Sequence, residues 1–150
     1  AFRFRNVYGE IIPDGNHSHL AAINDFFRAK GPNFGITITD SLMVKSLPVG
    51  TRVLFGGNEI ELYADGSAHL VEAGNLAGST LNVNRGLQIL VEKAMVDWQS
   101  AINSVTINPA SLIGINDRKG SIQAGKDADL VVIQDNYDVV MTYVKGKKAF

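Results

Sequence analysis

Two carboxylates in this 150-residue chain close apolar runs that read as β-strands. Asp14 follows residues 7–12 (VYGEII), and Asp40 follows Phe34 to Thr39 (FGITIT). In parallel α/β architectures, the groups that act on a substrate sit where strands end at their C-terminal edge. A carboxylate placed there can take a proton from an attacking nucleophile as a general base. The same residue type also caps turns, because its oxygens accept from nearby backbone N–H groups. From the residues alone both roles stay open, for Asp14 beside Gly15 and for Asp40.

His17 and His19 are spaced to share one face of an extended strand, and imidazoles bind zinc. A zinc site draws three or four ligands from protein, and the remaining histidine, His69, lies far along the chain. No complete metal site is therefore expected within this segment. Residues 74–80 (GNLAGST) read as a glycine-flanked loop running into a helix. Backbone N–H groups there could meet a polar or anionic ligand group, and an ordinary capped loop would look the same. Residues 120–133 (GSIQAGKDADLVVI) fall one residue short of the phosphate-loop spacing. That chemistry needs a Ser or Thr hydroxyl after the lysine, and Asp127 stands there. A phosphate loop also opens a helix, whereas residues 128–133 (ADLVVI) are β-branched and predict a buried strand. A nucleotide is not the reading.

The elements that must hold these residues follow from the pattern. A helix is predicted from about Leu20 to Lys30, with Ile23, Phe26, Phe27 and Lys30 on one face and Gly31-Pro32 as its stop. With its flanking runs this makes strand, helix, strand, the unit of a parallel sheet or barrel. Thr51 to Phe55, Glu59 to Tyr63 and Ser67 to Val71 predict a small antiparallel meander, with turns at 56–58 and 64–66. Ser79 and Thr80 are positioned to cap a helix with Val83, Leu87, Leu90, Val91 and Ala94 on one face. Further helices are predicted from about Asp97 and from Asn108-Pro109, the latter ending at Gly114. The tail from Lys119 reads as β-strands with a turn at Lys145-Gly146.

A net charge of −1 and a pI near 6.3 leave no electrostatic footprint for nucleic acid or an anionic membrane. The basic cluster Lys145, Lys147 and Lys148 reads as a solvated hairpin tip. The absence of cysteine rules out disulfides, thiolate metal sites and cysteine nucleophiles, and it fits a cytoplasmic location. No stretch approaches the roughly 18 apolar residues of a membrane span, and no signal-peptide core is present at the N-terminus. The chain opens on Ala1, which implies processing or a piece of something longer.

Taken in order, DGNH, ITITDS, GNLAGST, NPA and GSIQAGKDADLVV resemble the C-terminal part of the N-acetylglucosamine-6-phosphate deacetylase family, within the metal-dependent amidohydrolase superfamily. The resemblance runs from Val7 to about Gly146. It implies an α/β fold: the last strands of a (β/α)8 barrel over residues 1–115, with the meander as an insertion at about 51–72, then strands of a small β-sandwich over 116–150. The closing G-x-I-x-x-G-x-x-A-D-L motif is shared across many amidohydrolases, where it leads the chain from barrel to sandwich.

The resemblance also implies roles. Asp40 matches the aspartate at the end of the eighth barrel strand, the catalytic general acid/base. His17 matches a substrate-binding histidine, and Leu76, Ala77 and Gly78 match a substrate-contacting loop; His19 matches no functional residue. The implied reaction is hydrolysis of N-acetyl-D-glucosamine 6-phosphate to D-glucosamine 6-phosphate and acetate. Its cofactor is a divalent metal ion, zinc or similar, which activates water and polarises the carbonyl. The family's metal ligands, a glutamate and two histidines, lie on earlier strands outside this segment. A homo-oligomer handling a small amino-sugar phosphate is the implied state, and the segment alone is expected to be inactive. Leu42-Met43-Val44-Lys45 departs from the family, which is richer in alanine and glycine after the aspartate. Two competing readings are a deacetylase of another amino sugar or amino acid, and a non-catalytic structural or dimerisation lobe.

Overall fold

The computed structural model describes residues 3–150 as an α/β chain with three small sheets. The first is the predicted parallel unit: β1 (Gly9–Ile11) and β2 (Gly35–Thr37), joined by helix α1 (Leu20–Lys30). Gly9 pairs with Gly35, Glu10 with Ile36 and Ile11 with Thr37, so both strands end at the same edge. Helix α1 begins where His19 Nδ1 accepts from the Ala21 N–H, and it ends at Gly31, whose φ is +63°. It buries Ile23, Phe26, Phe27 and Lys30, the four residues of the predicted face. Burial of each phenylalanine stabilises the fold by about 2 kcal/mol. The Lys30 ammonium is not left bare, since it donates to the Phe4 and Val7 carbonyls.

The meander is larger than its sequence pattern. Strands β3 (Arg52–Phe55), β4 (Asn58–Leu62) and β5 (Ser67–Leu70) form the expected antiparallel set, and β6 (Leu76–Ser79) adds a fourth strand. Residues 76–79, expected as a loop, are therefore extended and paired to β5. The apolar face of this sheet, Ile60, Leu62 and Ala68, closes on Leu42 and Val44. Leu42 and Val44 thus form the floor on which the meander sits.

Helix α2 (Val83–Gln88) continues as a π-helical turn (Ile89–Lys93), and α3 (Trp98–Val105) and α4 (Ile107–Leu112) follow. The apolar positions of α2, the π-helical turn and α3 pack with α1 into the main core around Ile23, Phe27, Leu90 and Ala101. Two predicted caps are corrected. Helix α2 starts after Asn82 rather than at Ser79, which belongs to β6. Asn108 is not the cap of α4 but is buried in it, donating to the Pro32 and Gly35 carbonyls. Satisfying two acceptors, the Gly35 carbonyl among them buried, outweighs a cap at a helix end that follows α3 after one residue.

The tail forms the antiparallel sheet β7 (Leu130–Ile133), β8 (Val139–Val144) and β9 (Lys147–Lys148), with the Lys145-Gly146 turn between the last two. The prediction that 128–133 is buried is corrected: Val131 is 60% exposed and Val132 38%. As an edge strand, β7 is paired on one side only, and its apolar side chains are incompletely covered. Tyr137 docks this unit into the main core, and burial pushes its phenol above the usual tyrosine range. No helix among the described residues is long and apolar enough to cross a membrane.

Candidate active site

Four segments meet at the edge where β1 and β2 end. The first is the turn after β1. Asp14 Oδ1 accepts from the Asn16 and His17 N–H groups at 2.9 Å, which closes the turn as an aspartate cap would. Its other oxygen, Oδ2, lies 2.7 Å from His17 Nδ1. The carboxylate therefore both caps the turn and orients the imidazole, leaving Nε2 as the outward-facing nitrogen. His19 points elsewhere, to the start of α1. The two histidines are thus parted by separate duties, and the alternate-residue pairing suggested by their spacing is not formed.

The second segment is the end of β2. Asp40 lies three residues past the strand, exposed, with φ at +48°. A non-glycine residue in the left-handed region is held there by its surroundings, and such positions gather at functional sites. Asp40 is exposed, and no hydrogen bond to its carboxylate forms among the described residues.

The third segment is β6. Ser79 N–H donates to the Asp40 carbonyl at 2.9 Å, and the Ser79 carbonyl accepts from Leu42 N–H at 2.8 Å. The Ser79 hydroxyl donates to the Thr39 carbonyl and accepts from Leu81 N–H at 3.1 Å. Leu76, Ala77 and Gly78 lie along this strand, with Leu76 37% exposed. Gly78 adopts φ +75°, and a Cβ there would come within 2.9 Å of the Leu42 side chain and 3.1 Å of the Asp40 carbonyl. Only glycine lets β6 approach the Asp40 backbone so closely.

The fourth segment is the turn between β4 and β5. Asp65 Oδ1 accepts from the Ser67 N–H and hydroxyl, which holds its carboxyl below the usual carboxylate range. The Asp65 carbonyl accepts from Asn16 Nδ2 at 3.4 Å, and the Gly66 carbonyl accepts from the Thr80 hydroxyl at 2.7 Å. The meander is thereby tied both to the His17 turn and to the end of β6.

The structure thus brings the sequence-predicted residues Asp40, His17, Leu76, Ala77 and Gly78 onto segments that share this edge. Sequence reading missed Ser79 as a partner of Asp40, seeing in it only a helix cap. It weighed Asp14 as base or turn cap and missed its bond to His17, although the D-x-x-H spacing is that of an i, i+3 contact. His69 stays within the meander, bonded to the Gly74 carbonyl and the Ser67 hydroxyl. Among the described residues, no three His, Cys, Asp or Glu side chains converge to hold a metal ion. A cleft of about 480 Å³ lies alongside, lined by Thr39, Ser41, Lys45, Val131 and Ile133 among others. Asp40 does not line it, and its walls come from the α/β part and the tail sheet. We therefore assign it to the junction between those units and not to the reacting group.

Residues 17–149 match the amidohydrolase family. The chain is 40% identical over 141 residues to N-acetylglucosamine-6-phosphate deacetylase of Bacillus subtilis (strain 168), covering 94% of this chain and 35% of that protein. It is 30% identical over 145 residues to a putative N-acetylgalactosamine-6-phosphate deacetylase of Escherichia coli (strain K12), covering 97% of this chain and 84% of that protein. The crystal structure of N-acetylglucosamine-6-phosphate deacetylase from Thermotoga maritima superposes with a TM-score of 0.90 at 26% identity, over 99% of this chain and 40% of that one. The chain therefore spans well under half the length of the Bacillus and Thermotoga proteins. On the strength of the family match over most of its residues, the chain belongs to the amidohydrolase family.

Proposed function

We propose that this chain is the C-terminal portion of a deacetylase that hydrolyses N-acetyl-D-glucosamine 6-phosphate to D-glucosamine 6-phosphate and acetate. The observation that carries the reading is Asp40: an exposed carboxylate with no hydrogen-bond partner among the described residues, held by its backbone where β2 ends, in a chain of this family. In the reaction Asp40 takes the proton from the attacking water. It then returns that proton to the amine nitrogen, which leaves poorly unless protonated. His17, oriented by Asp14, binds the sugar phosphate or a hydroxyl, and Leu76, Ala77 and Gly78 contact the bound sugar.

In this reading residues 1–115 are the last strands of a (β/α)8 barrel with the meander inserted, and 116–150 belong to a β-sandwich. The divalent metal ion, zinc or similar, takes its ligands from the part of the enzyme outside this segment, as the resemblance to the family implies. The steps assigned above are those of this chain's own residues. A homo-oligomer working in the cytoplasm completes the proposal.

The Escherichia coli relative favours a second reading, in which the substrate is the galactosamine epimer. The full-length enzyme is to be assayed for acetate release from the 6-phosphates of N-acetylglucosamine and N-acetylgalactosamine and from unphosphorylated N-acetylglucosamine. We expect the highest kcat/KM on N-acetylglucosamine 6-phosphate. A preference for the galactosamine compound would transfer the assignment to the epimer, and no acetate from any of them would leave the structural-lobe reading standing.

A further inference from the structure

We propose that Ser79 is the positioning residue of Asp40, so that the end of the meander and the proton-transfer group form one mechanical unit. The inference rests on the reading of Asp40 as acid/base and goes beyond it. Ser79 is 1% exposed and touches the backbone on both sides of Asp40. Its N–H and carbonyl bond Asp40 and Leu42, and its hydroxyl bonds the carbonyl of Thr39. Ser41 and Ser79 are paired as a parallel bridge outside the named strands. The three residues Thr39, Asp40 and Leu42 are therefore fixed by a single residue.

The need for this device is visible at Asp40 itself. Its φ of +48° lies in the left-handed region, which non-glycine residues adopt uncommonly, aspartate among the more frequent of them. The backbone bonds would survive replacement of Ser79 by alanine, since they need no side chain. The hydroxyl would not: the Thr39 carbonyl would lose its donor and Leu81 N–H its acceptor, beside a side chain that is itself buried. The peptide leading into Asp40 would then be free to rotate, and the carboxylate would move with it. Displacement by about 1 Å at a reacting group costs on the order of 100-fold in rate.

Strand β6 is in turn anchored in the meander, through Ser67↔Ser79 and His69↔Leu76. Contact of a substrate with 76–78 and the aim of Asp40 are thus coupled through adjacent residues of one strand. A substrate that fits β6 poorly should accordingly lose kcat as well as affinity.

The test uses the full-length enzyme with Ser79→Ala and Ser79→Cys, the latter filling the same space with a poor donor. We expect kcat to fall tenfold or more in both, KM to stay within about twofold, and the pH–rate profile to shift on the limb set by the general base. Thr106→Val is the control, because its hydroxyl bonds the Ile102 carbonyl and not the Asp40 backbone. It should lower Tm while leaving kcat and the profile unchanged. If both Ser79 variants behave like Thr106→Val, the proposal is overturned. Asp40→Asn, measured alongside, separates the two readings: normal turnover there removes the base itself, whereas an inactive Asp40→Asn with a normal Ser79→Ala removes only the clamp.

Discussion

Asp14, His17 and Asp40 illustrate how much chemistry three side chains gain from their backbones. Asp40→Asn keeps the shape and the acceptor but cannot take up a proton. We expect kcat of the full-length enzyme to fall by about 100-fold or more with KM comparatively unchanged, as steady-state kinetics would establish. His17→Asn should raise KM for the phosphorylated substrate and leave the metal content intact. Elemental analysis showing metal loss in that variant would make His17 a ligand after all. The place of Asp40 at a strand end was legible in the sequence, while its role stayed open between base and turn cap until the family resemblance pointed to the former. Ser79 was not legible, because its partners lie about forty residues away in sequence, and a serine before a helix is explained well enough as a cap.

At the scale of elements, the stretch after α4 owes Gly120 to packing and its charges to pairing. Gly120, at φ +85°, sits so close to the α3–α4 junction that a Cβ would fall 2.9 Å from the Ala110 Cβ and the Ile107 Cα. Lys119 pairs with Asp127 and Asp129, and Arg118 with Asp127. Lys126 donates to the Asn116 carbonyl. The near-phosphate-loop spacing is thus a stapled connector into β7. Lys119 holds both carboxyls below the ordinary aspartate range, and they in turn raise the lysine. A depressed carboxyl stabilises the fold above its unfolded value, near 3.9, and that contribution is lost as pH falls through the lower folded one. Lys119→Met should therefore flatten the fall of Tm between about pH 5 and 2, and added salt should do the same to the native enzyme. The effect is small, since the pairs are solvated. Helix α1 was readable to the residue because its stop is local, whereas β6 is made a strand by its neighbours and not by its own LAGS sequence.

The molecule as a whole leaves Met43, Leu54, Ile113, Ile122 and Val131 more than half exposed, and its parallel pair has two strands. Unpaired edges and uncovered apolar faces promote association. Residues 1–150 expressed alone, with zinc or another divalent ion added, should release no acetate from N-acetylglucosamine 6-phosphate and should sediment as aggregates. Metal-dependent turnover by a soluble monomer would show that the segment is self-sufficient. The exposure of β7 could not be read from ADLVVI, since composition reports what a strand can bury and not whether a partner is present. The meander, by contrast, departs from Asp40 and returns to it at a single rung. To the polymer it is a closed loop, and doubling the length of such a loop costs only about 0.6 kcal/mol. Relatives can therefore lengthen, shorten or reshape that excursion, and with it the strand that carries Leu76 to Gly78, while Asp40 beneath keeps its station.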